Sequence, residues 1–125
     1  MTNARVLVVD DEPLVADTLG LIFKQRGFQC EVAYSGEAAL EQVRSFGPEL
    51  LLLDIHMPGM SGLDVARSVS ASHPECRMLM MTGYYSKLEE ARQYSSGLNQ
   101  PLEFATKPMQ PEMLLQQATS ILATV

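Results

Sequence analysis

"VLVVDDE" (residues 6–12) runs from four apolar residues straight into three carboxylates, Asp10, Asp11 and Glu12. A short continuous apolar run suits a strand covered on both faces of a parallel sheet, whereas a half-exposed strand alternates. Runs of the same kind recur at Leu50–Leu53 and Met78–Met81. Between them lie segments of helical period: Val15, Leu19, Ile22 and Phe23 follow an i, i+4, i+7, i+8 spacing.

The alternation predicts further strands at Phe28–Ala33 and Leu102–Ala105. Further helices are expected at Ser35–Phe46 (Leu40 and Val43 inward), at Leu63 to about Ser72 and near Tyr84 to Ser96. A last one runs from about Pro111 to Ala123, with Leu114, Ala118, Ile121 and Leu122 on one stripe. Gly27 and Gly47-Pro48 punctuate helix ends, and Pro13 and Pro111 sit where first-turn prolines are tolerated. Five strands alternating with five helices make an α/β domain with a parallel sheet.

The 125 residues suit one domain, 1–125, and no second pattern follows the last helical stripe. Hydrophobic content of 46% with 19% charged residues is ordinary for a soluble fold, and no window has the length of a membrane helix. The N-terminus lacks the pattern of a secretory signal, so a cytoplasmic location is expected. Cys30 and Cys76 show no metal-ligand spacing and are expected as reduced, partly buried thiols. A net charge of -6 with scattered basic residues argues against direct nucleic-acid binding.

Open parallel α/β sheets bind ligands at the carboxyl ends of their strands. There the first strand delivers Asp10 and Asp11, the third Asp54, the fourth Thr82, and the fifth stops just before Lys107. An aspartate N-cap with Glu12 in the first turn would explain part of the acidic run. Capping needs no second carboxylate, and it leaves Asp54 unexplained. Mg²⁺ would suit all three, since it takes one or two carboxylates, keeps waters and leaves room for phosphate oxygens. Thr82 is either a cap or a hydroxyl donor, and Lys107 either a solvated surface residue or a point charge at the site. Together with a metal they are the parts that phosphoryl transfer onto a carboxylate needs.

"VLVVDDE" (6–12), "LLLDIHMPGMSG" (51–62), "MMTG" (80–83) and "ATKP" (105–108), in this order at successive strand ends, resemble the receiver domain of two-component response regulators. The resemblance is to the single-domain, chemotaxis-type receiver and spans essentially the whole chain. It implies a five-stranded parallel sheet in the doubly wound (βα)5, flavodoxin-like arrangement. It also implies a phosphoprotein, not an enzyme acting on a separate substrate. Asp54 would take a phosphoryl group from a histidine kinase or histidine phosphotransfer protein. Asp11, Asp54 and the backbone carbonyl of His56 would bind Mg²⁺ directly, and Asp10 through water. Lys107 and Thr82 would engage phosphoryl oxygens, and Phe104 would be the aromatic whose rotamer follows. The output surface would be the helix near 84–96, the short strand and the last helix, acting on a downstream protein target as a monomer or weak dimer.

His56 and Tyr84, two residues after Asp54 and Thr82, either border the phosphoryl site and modulate its hydrolysis or point into solvent. The resemblance also makes Lys107-Pro108 a candidate cis peptide. The stretch 84–104 departs from the common pattern, being longer and lacking a short Gly-Ala turn before the last strand. Three alternatives stand beside the phosphoacceptor: a receiver-like scaffold that is never phosphorylated, a receiver excised from a larger regulator or hybrid kinase, and a Mg²⁺-dependent phosphatase of another α/β family. The phosphatase would place a second Asp two residues after the first, where this chain has His56.

Overall fold

The structure, a computed structural model, describes residues 3–83, 92–93, 102–106 and 110–123. In chain order the elements are β1 (Arg5–Val9), α1 (Pro13–Gln25), β2 (Gln29–Ala33), α2 (Gly36–Phe46), β3 (Leu50–Asp54), α3 (Gly62–Ser72), β4 (Arg77–Thr82), β5 (Glu103–Thr106) and α4 (Pro111–Ala123). Arg92 and Gln93 are helical, and the rest of the helix expected near 84–96 lies outside the described residues. All strand pairs are parallel, in the order β2-β1-β3-β4-β5. The order reverses at β1, which puts the β1/β3 crevice at the switch point where such sheets bind ligands.

The continuous apolar runs are buried on both sides of the sheet. Leu7, Val9, Leu51, Leu53, Met78 and Met80 pack toward α2 and α3, while Val6, Val8, Leu50, Leu52, Leu79 and Met81 pack toward α1 and α4. The methionines of β4 therefore fill the core. Leu114, Ala118 and Ile121 of α4 are buried as its stripe required, with Leu122 partly so, and Leu115 is buried beside them.

In α1 the buried face is centred on Ala16, Gly20 and Phe23, and Val15, Leu19 and Ile22 flank it half-buried. The helix lies so near β2 that a Cβ on Gly20 would sit 2.7 Å from Val32 Cγ2. The missing side chain of Gly20 permits that approach, while Phe23 on the same face fills the core.

Helix ends follow local chemistry. Ser35 caps α2 by accepting from the Ala38 N–H at 3.1 Å, and Gly47 closes it in the left-handed region at φ +63°. Ser61 and Asp64 form a reciprocal capping box at the start of α3, each side chain accepting the other's backbone N–H at 3.2 Å. The N-cap of α1 is Glu12, not an aspartate, with Pro13 opening the helix and no acid in its first turn. The aspartate cap expected ahead of Glu12 is therefore not formed, and the cap falls one residue later than expected.

Candidate functional site

Asp10 directly follows β1, and its backbone N–H donates to the Ala33 carbonyl at 3.2 Å, carrying the β1–β2 ladder one step further. Its side chain is fully buried, and Oδ1 accepts the Glu12 N–H at 3.0 Å. An aspartate bonding the backbone two residues on is an Asx turn, and here it bends the chain from strand into helix. Asp11, between the two, is half-buried.

Asp54 ends β3, level with Met81 of β4. It is 4% exposed, and its Oδ1 accepts the His56 N–H at 3.2 Å. The neighbouring Ile55 N–H extends the β3–β4 ladder to Met81 O at 2.9 Å. Thr82, 1% exposed, closes β4 opposite Thr106 of β5.

The β3–α3 loop holds Asp54 from the other side. Ile55 and Met57 are buried in the core, and the Gly62 N–H donates to Ile55 O at 2.9 Å. A Cβ on Gly62 would lie 2.3 Å from Asp54 O and 2.6 Å from Ile55 Cα, so α3 starts against the Asp54 backbone only because residue 62 has no side chain. Gly62 was missed as a positioning residue in the sequence, where it is one glycine in a Gly- and Pro-rich loop. The Ser61-x-x-Asp64 spacing ahead of an apolar run was the available signal that a helix begins there.

One carboxylate oxygen from each of Asp10, Asp11 and Asp54 lies within 4.8 Å of the other two. At an effective dielectric near 20, two full charges at that separation repel by about 3 kcal/mol. Three acidic oxygens in this cluster are a donor set for a hard divalent cation, which would turn repulsion into attraction. No cysteine or histidine shares the cluster.

The remaining sequence candidates divide. The His56 side chain is exposed, while its backbone is tied to Asp54. Phe104 is half-buried on β5, on the α2/α3 side of the sheet. Tyr84, Lys107 and Pro108 lie outside the described residues. Cys30 and Cys76 are buried free thiols away from the cluster, and burial pushes them up to about 11 and about 12.

A 2-1-3-4-5 parallel sheet with two acidic strand ends and a buried threonine at the end of β4 defines a doubly wound α/β domain, and its relatives make this specific. The family model described as the response regulator receiver domain matches residues 6–119, and the chain belongs to that family. It is 34% identical over 111 residues to the DNA-binding response regulator MtrA of Mycolicibacterium smegmatis, covering 89% of this chain and 47% of that protein. It is 31% identical over 118 residues to the transcriptional regulatory protein TrcR of Mycobacterium tuberculosis, covering 94% and 45%. The chain thus spans about half the length of the curated relatives it matches.

Among solved structures, it is similar to a CheY-like response regulator receiver domain protein from Methanospirillum hungatei (TM-score 0.86, 25% identity, 98% of this chain and 95% of that one). It is similar also to the receiver domain of NtrX from Brucella abortus (TM-score 0.83, 28% identity, 96% and 99%). Among the described residues, no helix is long and apolar enough to cross a membrane.

Proposed function

We propose that this receiver domain accepts a phosphoryl group on Asp54 from a phosphohistidine of a histidine kinase or histidine phosphotransfer protein. The reading is carried by one observation: Asp10, Asp11 and Asp54 converge from two strand ends to within 4.8 Å in a chain of the receiver family. A carboxylate oxygen of Asp54 attacks phosphorus; the new O–P bond forms as the P–N bond breaks, and the electron pair leaves with the imidazole. Asp54 needs no proton removed first, because a carboxylate is already the nucleophile.

The acidic oxygens of Asp10, Asp11 and Asp54 fit Mg²⁺, with the His56 backbone carbonyl as a further ligand; when bound, the ion neutralises charge on the phosphoryl oxygens. Thr82, buried at the end of β4, supplies a hydroxyl to one of those oxygens, and Lys107, next in chain after Thr106, an ammonium to another. The exposed His56 side chain borders the site and sets how readily water reaches the aspartyl phosphate. The added charge draws Thr82 inward, Phe104 follows, and the surface of β5 and α4 changes for a downstream protein partner.

Beryllofluoride, a mimic of the aspartyl phosphate, tests the assignment. Fluorine NMR should show a bound species that requires Mg²⁺ and vanishes in Asp54→Asn. A bound species that survives in Asp54→Asn would place the acceptor elsewhere.

A further inference from the structure

We propose that Arg92 latches Phe104, so that the strength of this one contact sets how easily the domain switches. The proposal rests on the reading of Phe104 as the aromatic that follows phosphorylation of Asp54. The Arg92 guanidinium carbon stands 6.0 Å from the centroid of the Phe104 ring, within the range of cation–π attraction. Among the described residues Arg92 forms no ion pair, so no carboxylate there competes with the ring for its charge.

The surroundings leave the Phe104 side chain as the part free to respond. Its backbone is fixed on both sides, in register with Met80 of β4 and with its carbonyl accepting Gln117 Nε2 of α4 at 3.0 Å. Its ring is half-buried against the α2/α3 side of the core, which leaves one surface for the guanidinium. Phe104 is two residues from Thr106, the partner of Thr82, so Phe104 and Thr82 sit on adjacent strands two residues apart in register. A cation held over the ring favours this position, and a change of rotamer that follows phosphorylation would forfeit the contact.

A cation–π pair with an exposed partner shifts an equilibrium about two- to five-fold. Arg92→Gln should therefore raise the apparent affinity for beryllofluoride with Mg²⁺ by about two- to five-fold. Arg92→Lys, which keeps a charge but loses the planar stack, should fall between. In a Phe104→Leu background, Arg92→Gln should do nothing. An unchanged affinity in Arg92→Gln, or an equal change in both backgrounds, overturns the latch.

A wild-type protein that binds no beryllofluoride would refute the phosphoacceptor reading and leave the contact open to a second measurement. That measurement is urea unfolding of wild type, Arg92→Gln, Phe104→Leu and the double variant, where the two substitutions should be coupled by about two- to five-fold in the unfolding constant. Additive effects there also overturn the latch.

Discussion

Replacing Gly62 by alanine adds one carbon, and the structure dictates where it goes. The new Cβ would lie 2.3 Å from Asp54 O, 2.6 Å from Ile55 Cα and 2.9 Å from Asp54 C. All three atoms are backbone, so no side chain can swing aside; α3 or the end of β3 must retreat by about 1 Å to reach ordinary contact. Overpacking of this kind costs about 1–3 kcal/mol, with rigid backbone at the upper end. Alanine returns about 0.5–1 kcal/mol through its better helix propensity. The net loss is about 2 kcal/mol, or roughly 8 °C in melting temperature for a chain of this size.

The same displacement moves the Asp54 carboxylate relative to Asp10 and Asp11. Mg²⁺ should bind about tenfold more weakly, and phosphorylation of Asp54 should slow by more, since an error of about 1 Å in a positioned group costs on the order of a hundredfold in rate. Thermal melts with and without Mg²⁺ read both effects together. Gly47→Ala is the control, because its Cβ would meet nothing within 4 Å and its cost comes from φ +63° alone. It should lose about 1 kcal/mol and keep the full Mg²⁺ response. A Gly62→Ala protein that melts within about 1 °C of wild type and responds normally to Mg²⁺ would show that this contact does not position Asp54.

In chelator, Asp54→Asn should be about 1–2 kcal/mol more stable than wild type, since it keeps an acceptor for the His56 N–H and removes repulsion from Asp10 and Asp11. Chemical denaturation with chelator or Mg²⁺ tests this, and destabilisation in chelator would contradict the crowded-carboxylate reading. His56→Ala should change the lifetime of the aspartyl phosphate with the fold intact, and unchanged hydrolysis kinetics would remove its side chain from the site. The thiols give a pH prediction. Burial raises Cys30 from 9.0 to about 11 and Cys76 to about 12, so between pH 9 and those values the unfolded chain loses protons that the folded chain keeps. Stability should fall as pH rises through that window, less steeply in a Cys30→Ala/Cys76→Ala variant; equal slopes would refute the assignment.

The strands were legible because burial on both faces leaves an unmistakable run of apolar residues, and the site was legible because each run ends in a polar residue that the core cannot tolerate further in. Asp10, Asp54 and Thr82 are all buried at strand ends for that reason. Helix faces were harder to read. Of the stripe Val15, Leu19, Ile22 and Phe23 only Phe23 is fully buried, and it shares the buried face of α1 with Ala16 and Gly20, small residues that no apolar stripe marks; Gly20 is there because the helix runs close to β2. Glu12 takes the N-cap position that residue preference assigned to an aspartate, since Pro13 fixes where the helix starts, and the Asx turn of Asp10 was not foreseen. The contact of Gly62 with Asp54 was invisible because it depends on an atom that is missing and on two segments that meet only in three dimensions.

The central claim is that Asp54 accepts a phosphoryl group with the help of a cation held by its acidic neighbours. Intact-mass spectrometry after incubation with acetyl phosphate tests it directly. Wild type should gain the mass of one phosphoryl group with Mg²⁺ and none in chelator, and Asp54→Asn should gain none in either. No gain in wild type with Mg²⁺, or an equal gain in Asp54→Asn, would contradict the account.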